Sequence, residues 1–144
     1  VNSGSEKQIT AKARADGKVM NQLETVQYQL GIFDSLSLEA QLAYLDSVTA
    51  NMGEIDKQMD AMLVEWAEGD ADGLADLMNA GFSDPALYQA LLTNRNVTWA
   101  EWIDNRLDQP GQVFVAVGAG HLAGEHSVQM QLEARGIEAA RINY

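Results

Sequence analysis

The middle of the chain has apolar residues at the spacing of one face of an α-helix. One such stripe falls at i, i+4, i+7, i+8 and i+11 and consists of Ile55, Met59, Met62, Leu63 and Trp66. Leu38, Leu42 and Leu45 form a second stripe upstream, and Ser37 is in position to cap the helix start. We therefore predict that residues 38–93 are helical apart from short loops, and that Leu63 and Trp66 are buried in a helical core.

Shorter apolar runs nearer the two ends of the chain have the pattern of β-strands. Residues 113–117 are a continuous run of Val, Phe and Ala, which is typical of a strand buried on both faces. Residues 121–135 predict a helix and residues 137–142 a further strand, so that the three together form a β-α-β unit with parallel strands. Residues 18–24, which precede a predicted helix at 26–33, are the candidate for a third strand of the same sheet.

These elements define the predicted fold class. We expect an α/β protein with a small, mostly parallel sheet, helices around it and a large all-helical insertion at about residues 34–109. The length of 144 residues is close to the usual size of one domain, so we expect a single domain over residues 1–144. The longest weakly charged apolar run is too short to span a bilayer, and we predict no transmembrane segment.

The charge of the chain narrows the classes of partner. Nine basic and 21 acidic residues give a net charge of −12, which opposes contact with phosphates, so we expect no nucleic-acid partner. Residues 32–94 have twelve acids and a single base, Lys57. We interpret this segment as a solvated, acidic helical insert, and the alternative is an acidic docking face for a cationic partner. Because the chain has no Cys, thiol chemistry is excluded.

A glycine-rich turn presents one of the two histidines. Residues 118–124 read Gly-Ala-Gly-His-Leu-Ala-Gly and follow the predicted strand at 113–117, which is where open α/β sheets bind ligands. Gly118 and Gly120 would allow close backbone approach to a ligand, and we expect His121 to be exposed there. The glycine spacing does not match a dinucleotide fingerprint, so we expect no nucleotide cofactor. The alternative interpretation of His121 is a hydrogen-bonded structural histidine.

Two further charged residues are expected to meet His121. Glu24 ends the predicted strand at 18–24, and the carboxyl ends of parallel strands share one sheet edge, so Glu24 and His121 should be neighbours. Arg95, the first base after Lys57, is the cation expected to balance a partly buried carboxylate. The three side chains could form a metal or acid–base site, or a satisfied buried ion pair with a nearby histidine.

The chain resembles a known protein family in several short motifs. Residues 114–122, Phe-Val-Ala-Val-Gly-Ala-Gly-His-Leu, resemble the second GxxH motif of the TraB/GumN family, whose relatives include PrgY and the Tiki proteins. The other matching motifs are Leu-Glu-Thr at 23–25 with Gln29, Trp66 with Gly-Asp at 69–70, and Asn-Arg-Asn at 94–96 with Trp99. In order and approximate spacing they cover nearly the whole chain. The resemblance implies an α/β fold with a helical insertion and, as in a few members, a metal-dependent peptidase or hydrolase activity.

The resemblance also implies roles for particular residues. Glu24, Arg95 and His121 would be catalytic, with His121 and Glu24 holding a divalent metal ion and Arg95 orienting Glu24 or stabilising negative charge on a carbonyl oxygen. The family pattern has an earlier GxxH that this sequence lacks, so the chain resembles the C-terminal portion of a larger domain. We therefore expect the metal-dependent site to be incomplete in this chain, so that the chain alone is not a competent metal-dependent hydrolase.

The resemblance further implies a substrate class and a location. The substrate would be a peptide or protein, and the location extracytoplasmic, either periplasmic or secreted. The alternative function is a non-catalytic peptide-binding or sequestering module, whose helical insertion forms a groove and whose GxxH turn serves the structure.

Overall fold

A computed structural model describes residues 4–82 and 84–142, and every regular element in these two ranges is helical. The α-helices there are α1 (Ser5–Ala15), α2 (Val26–Ser35), α3 (Leu38–Asn51), α4 (Ile55–Glu68), α5 (Ala71–Asn79), α6 (Pro85–Tyr88), α7 (Asn94–Leu107) and α8 (Val128–Glu133). A 3-10 turn joins α3 to α4 at Met52–Glu54, and another lies at Ala119–His121. A π-helical turn at Gln89–Thr93 joins α6 to α7.

The helical middle of the chain is confirmed over 38–93, except at residue 83, which lies outside the described residues. The helix ends follow local signals in the sequence. The Ser37 side chain caps α3 by accepting a hydrogen bond from the Ala40 amide at 3.2 Å. Gly69 ends α4 in the left-handed conformation at φ 74°, which glycine adopts without steric strain. Asp84 caps α6 ahead of Pro85 at the first helical position.

The prediction of an α/β fold with a parallel sheet is wrong, because no β-strand occurs within residues 4–82 or 84–142. Residues 113–117, the predicted interior strand, make no backbone hydrogen bond with other described residues. Val113 and Phe114 are 44% and 76% exposed, whereas an interior strand would bury both. Residues 18–24 and 137–142 are not strands either. The described part of the chain is all-helical.

The apolar residues predicted to fill a sheet pack against helices instead. A hydrophobic cluster on α7 and α8 consists of Trp99, Ala100, Val128 and Leu132. Leu23, Val117 and Ile137, one from each predicted strand, pack against this cluster. A β-strand is stable only when a neighbouring strand pairs with its N–H and C=O groups, and none of the three segments pairs with another. The apolar runs therefore correctly indicated contact with a hydrophobic core, but the strand pairing inferred from them is wrong.

Two more local predictions are wrong. The helix predicted at 121–135 is confined to α8, where Ser127 caps the start by accepting from the Met130 amide. Leu63 and Trp66, predicted to be buried, are 57% and 70% exposed. The apolar stripe of α4 thus faces solvent, although α4 packs against α5.

A second hydrophobic cluster positions the helices around the site. Ile32 of α2 packs with Leu87 of α6 and with Leu91 of the π-helical turn. Tyr44 of α3 also packs against this cluster. The segment from α6 to α7 therefore contributes to both clusters and holds α2 close to α7.

The prediction of no transmembrane segment agrees with the helices of the described residues. None of them has both the length and the apolar character needed to cross a membrane.

Candidate functional site

Glu24 and Arg95 form a buried ion pair. The Nε and Nη2 groups of Arg95 donate to the two carboxylate oxygens of Glu24 at 2.9 and 2.8 Å, the bidentate geometry of a strong guanidinium–carboxylate pair. Only 4% of the Glu24 side chain and 17% of the Arg95 side chain are exposed. Gln29 Nε2 donates to the same carboxylate at 3.0 Å and Trp99 Nε1 at 2.9 Å. Three side chains therefore hold the carboxylate in place.

The local backbone explains how these side chains meet. Glu24 directly precedes Thr25, which caps the start of α2, and Gln29 of α2 reaches back to Glu24. Arg95 follows the π-helical turn, and its Nη1 donates to the Leu91 carbonyl at 3.0 Å. A π-helical turn disrupts the regular pairing of helix carbonyls and often marks a functional site. Here the carbonyl of that turn fixes the Arg95 side chain toward α2.

Trp99 connects the ion pair to His121. Its Nε1 donates to Glu24, and its ring lies 4.9 Å from the guanidinium carbon of Arg95, close enough for a cation–π contact. The ring centroids of Trp99 and His121 are 4.5 Å apart. Because one side chain touches all three predicted residues, the convergence of Glu24, Arg95 and His121 is confirmed.

Asn96 fixes which nitrogen of His121 carries the hydrogen. Its Nδ2 donates to the His126 carbonyl at 2.7 Å, which turns its Oδ1 toward His121 Nδ1 at 2.6 Å. An amide oxygen can only accept, so Nδ1 carries the hydrogen and Nε2 keeps its lone pair. Asn96 and His121 are 1% and 8% exposed, so the expected exposure of His121 is wrong, and its imidazole is buried and hydrogen-bonded.

Burial and pairing set the charge state of the site. Desolvation, followed by the positive charge of Arg95, lowers the pKa of His121 to about 4, against the opposing effect of Glu24. Burial alone would raise the pKa of Glu24, but hydrogen bonds from Arg95, Gln29 and Trp99, together with the Arg95 charge, hold it below its usual value. At neutral pH the site therefore contains a neutral imidazole beside a carboxylate that is balanced by a guanidinium.

The glycine turn places His121 beside a cavity. The His121 amide donates to the Gly118 carbonyl at 3.0 Å, which closes the 3-10 turn. A Cβ on Gly120 would lie 3.4 Å from Asn79 Oδ1, so glycine allows this turn to pack closely on the end of α5. Gly118, Gly120, Arg95 and His121 line a cavity of about 400 Å³, a size typical of ligand sites. The rest of its wall is mostly apolar and includes Ile32, Phe33, Met78, Phe82, Leu91 and Leu92.

The site contains three residues to which sequence reasoning gave no role. They are Gln29, Asn96 and Trp99, which bind Glu24 or His121 directly. All three belong to the short motifs shared with the TraB/GumN pattern, and that was the available signal. No local periodicity could have identified them, because most of their partners lie far away along the chain.

The described residues do not fit a divalent ion held between Glu24 and His121. A carboxylate has about four lone-pair sites, and Glu24 accepts hydrogen bonds of 2.8 to 3.0 Å from Arg95, Gln29 and Trp99. The adjacent guanidinium also repels a cation. Within 4–82 and 84–142, no group of three or more His, Asp or Glu side chains is arranged to hold a metal ion. Of the two predicted metal ligands, only His121 has an atom with a free lone pair, its Nε2.

Taken together, the fold and the site define a helical protein with a neutral histidine and a buried ion pair beside a largely apolar cavity. Residues 2–141 match the model of the TraB/PrgY/gumN family. The chain belongs to this family, as its motifs predict. No curated protein and no solved structure matches the chain.

Proposed function

We propose that the chain carries the site of a hydrolase in which His121 Nε2 accepts a proton from the attacking water. The observation that supports this role is the Asn96–His121 hydrogen bond, because it leaves the lone pair of a neutral imidazole on a residue that lines the cavity. The proton taken from water would then pass to the leaving group of the substrate. A pKa of about 4 keeps the imidazole ready to accept at neutral pH but also makes it a weak base.

Arg95 is proposed to stabilise the negative charge that develops on the carbonyl oxygen of the substrate. Arginine has five N–H groups, and three of those on Arg95 bind Glu24 or the Leu91 carbonyl. The other two make no hydrogen bond with described residues, and Arg95 lines the cavity. Glu24 and Trp99 act on this chemistry indirectly, by holding Arg95 and His121 in position.

The metal-dependent form of the activity stays a prediction. Of the expected ligands, His121 has a free nitrogen and Glu24 has no free oxygen, so we assign no step to a metal ion. A peptide or protein substrate and an extracytoplasmic location, both implied by the family resemblance, are part of the same proposal.

The test uses the chain with an activated, uncharged substrate, the 4-nitrophenyl ester of N-acetyl-leucine, in the presence of a chelator. We expect hydrolysis above the background rate, with an acid limb near pH 4 that reflects the lowered pKa of His121. His121→Gln should remove this acceleration, and His126→Gln is the matched control that should keep it. Equal rates for the unmodified chain and His121→Gln would overturn the proposal. Turnover abolished by the chelator would indicate a metal site and contradict the assignment to a free imidazole.

A non-catalytic peptide-binding module is the second candidate, and the apolar wall of the cavity favours it. This candidate predicts that the chain binds N-acetyl-leucinamide, with chemical-shift changes at Ile32 and Phe33, while the ester is not hydrolysed. Substitution of His121 would then leave the affinity for the amide unchanged. Binding without turnover would thus move the function from hydrolysis to sequestration.

A further inference from the structure

Helix α3 packs on the core through Ala40 and Tyr44 and exposes its leucines. Ala40 is buried, and Tyr44 packs against the cluster of Ile32, Leu87 and Leu91. Leu38, Leu42 and Leu45, on another face of the same helix, are 71%, 53% and 57% exposed. The leucine face of this helix is therefore more than half exposed.

Helix α4 continues this exposed surface. Its residues Ile55, Met59, Leu63 and Trp66 are between 47% and 70% exposed, and Met52 in the connecting turn is 62% exposed. We refer to the exposed residues Leu38, Leu42, Leu45, Met52, Ile55, Met59, Leu63 and Trp66 as the α3–α4 face. Exposed apolar residues are common when they occur singly, whereas a series of this length along two consecutive helices points to an interaction surface.

The spacing of the α3–α4 face suits a helical partner. Its positions alternate in steps of four and three residues through most of both helices, as do the a and d positions of a coiled coil. In that register the two positions without a large apolar residue are Thr49 and Asp56. A partner helix could thus lay its own apolar side chains along the face.

The charges beside the face indicate which type of partner helix could bind to it. Glu39, Asp46 and Asp60 are exposed, and each directly follows a residue of the face, which places them on one flank of it. Residues 38–68 contain seven acids and a single base, Lys57, which pairs with Glu54 at 2.7 Å. Residues 38–68 contain no other base that could pair with the remaining carboxylates.

We propose that the α3–α4 face binds a basic amphipathic helix of a partner protein. Leucine-type side chains of the partner would cover the exposed Leu, Met and Trp residues, and Lys or Arg beside them would meet the acidic flank. A second copy of this chain fits less well, because it would bring a second acidic helix pair to the interface. An anionic lipid surface is repelled by the same carboxylates. This inference is independent of the proposed hydrolase.

The probe is a synthetic amphipathic helix of about four heptads, with Leu at a and d and Lys at e and g. A matched peptide has Glu in place of every Lys. We expect the basic peptide to bind the chain and to shift the emission of Trp66 to shorter wavelength, since its exposed indole becomes covered. Trp66→Phe identifies that signal among the three tryptophans. Calorimetry gives the dissociation constant for each peptide.

Substitutions on the face and its flank test the two parts of the proposal separately. Leu45→Asp and Leu63→Asp should each weaken binding of the basic peptide about tenfold or more. Asp60→Lys should also weaken it, whereas Glu6→Lys in α1 makes the same charge change outside α3 and α4 and should have little effect. If circular dichroism shows that a Leu→Asp variant is unfolded, Leu45→Gln replaces it.

Several results would overturn the proposal. Equal binding of the acidic peptide, or equal weakening by Glu6→Lys, would contradict the proposed role of the acidic flank. Dimerisation of the chain at micromolar concentration, lost in Leu45→Asp, would identify a second copy as the occupant. Binding to phosphatidylglycerol vesicles that depends on Leu45 and Leu63 would identify a lipid surface. Failure of the basic peptide to bind would show that the face does not take such a helix.

Discussion

The site around the Glu24–Arg95 ion pair and the α3–α4 face differ in which kinds of side chain are buried. In the site, charged and polar side chains are buried, and Glu24, Arg95, Asn96 and His121 each have a hydrogen-bond partner. On the face, large apolar side chains are exposed, and α4 contains no buried residue at all. Residue type alone does not decide burial in this chain. Polar side chains are buried where hydrogen-bond partners surround them, and apolar side chains are exposed where no other described element covers them.

This difference predicts different consequences of substitution. Removing one partner in the site leaves another group buried without compensation, which destabilises the fold. A substitution on the α3–α4 face removes a side chain that is already exposed, so it should change stability little. Effects on stability should therefore be largest in the site and smallest on the face.

The largest effect is expected when the ion pair is broken from the arginine side. Arg95→Met keeps much of the apolar stem but leaves the Glu24 carboxylate buried without its counter-ion, which should lower the free energy of unfolding by about 3–5 kcal/mol. Glu24→Gln should cost less, because the Arg95 side chain is 17% exposed and that of Glu24 only 4%. Urea denaturation measures both values.

The double variant Glu24→Gln with Arg95→Met serves as the control for this prediction. It leaves no uncompensated charge, so it should recover part of the loss seen in Arg95→Met. If Arg95→Met were no less stable than a substitution on the α3–α4 face, the two regions would not differ in the way described.

A somewhat smaller effect is expected from acidification. His121 has a pKa of about 4 in the folded protein and about 6.5 in the unfolded chain, so the unfolded chain binds more protons between these values. Stability should therefore be complete above about pH 6.5 and fall toward pH 4, by about 3 kcal/mol. The lowered pKa of Glu24 adds a further loss below its usual value of 4.5. Urea unfolding at a series of pH values measures the slope.

The two histidines separate these contributions. His121→Gln should remove the loss between pH 6.5 and 4 and keep the one below 4.5, whereas His126→Gln should keep both. A slope that persists in His121→Gln would assign the acid sensitivity to another group.

Asn96 gives the next prediction. Asn96→Ala leaves His121 Nδ1 and the His126 carbonyl without their partner, which should cost about 1–3 kcal/mol. Nitrogen NMR of His121 should show the Nδ1–H form in the unmodified chain and a mixture of both forms in the variant. Asn96→Asp should raise the pKa of His121, since a carboxylate next to Nδ1 stabilises the imidazolium.

The matched control is Asn105→Ala on the same helix. The Asn105 side chain also donates to a backbone carbonyl, that of Glu101 at 2.9 Å, but it is exposed. Its loss should change stability little and leave the His121 spectrum unaltered. Unchanged His121 resonances in Asn96→Ala would instead show that Asn96 does not fix the tautomer.

The sequence predicted helix ends better than long-range pairing. Ser37, Gly69 and Asp84 act on amides and carbonyls within a few residues, so their effect can be derived from the local sequence. Strand pairing at 113–117 depends on a distant partner, and the apolar run carries no information about whether one exists. A helical stripe likewise shows which face of α4 is apolar, but not whether another element covers it.

The convergence of Glu24 and His121 was predicted correctly for the wrong reason. We expected the edge of a parallel sheet to bring them together, and the described residues contain no sheet. Trp99 on α7 connects them instead, by a hydrogen bond to Glu24 and a ring contact with His121. The family motifs pointed to these residues without any assumption about topology, whereas the strand argument depended on an assumed sheet.

The smallest effect on stability is expected on the α3–α4 face, from Leu45→Gln. Leu45 is 57% exposed and Gln has a similar helix propensity, so the free energy of unfolding should change by less than about 0.5 kcal/mol. Leu132→Gln makes the same change in the cluster on α7 and α8, where the side chain is only 8% exposed, and should cost several-fold more. Binding of the basic peptide should respond in the reverse order: Leu45→Gln weakens it, because a partner helix covers this leucine, while any Leu132→Gln protein that remains folded binds normally. Urea denaturation and calorimetry on the same two variants measure both quantities. A large loss of stability in Leu45→Gln would mean that the leucine is already covered by part of the chain, and the contrast between the site and the face would then fail.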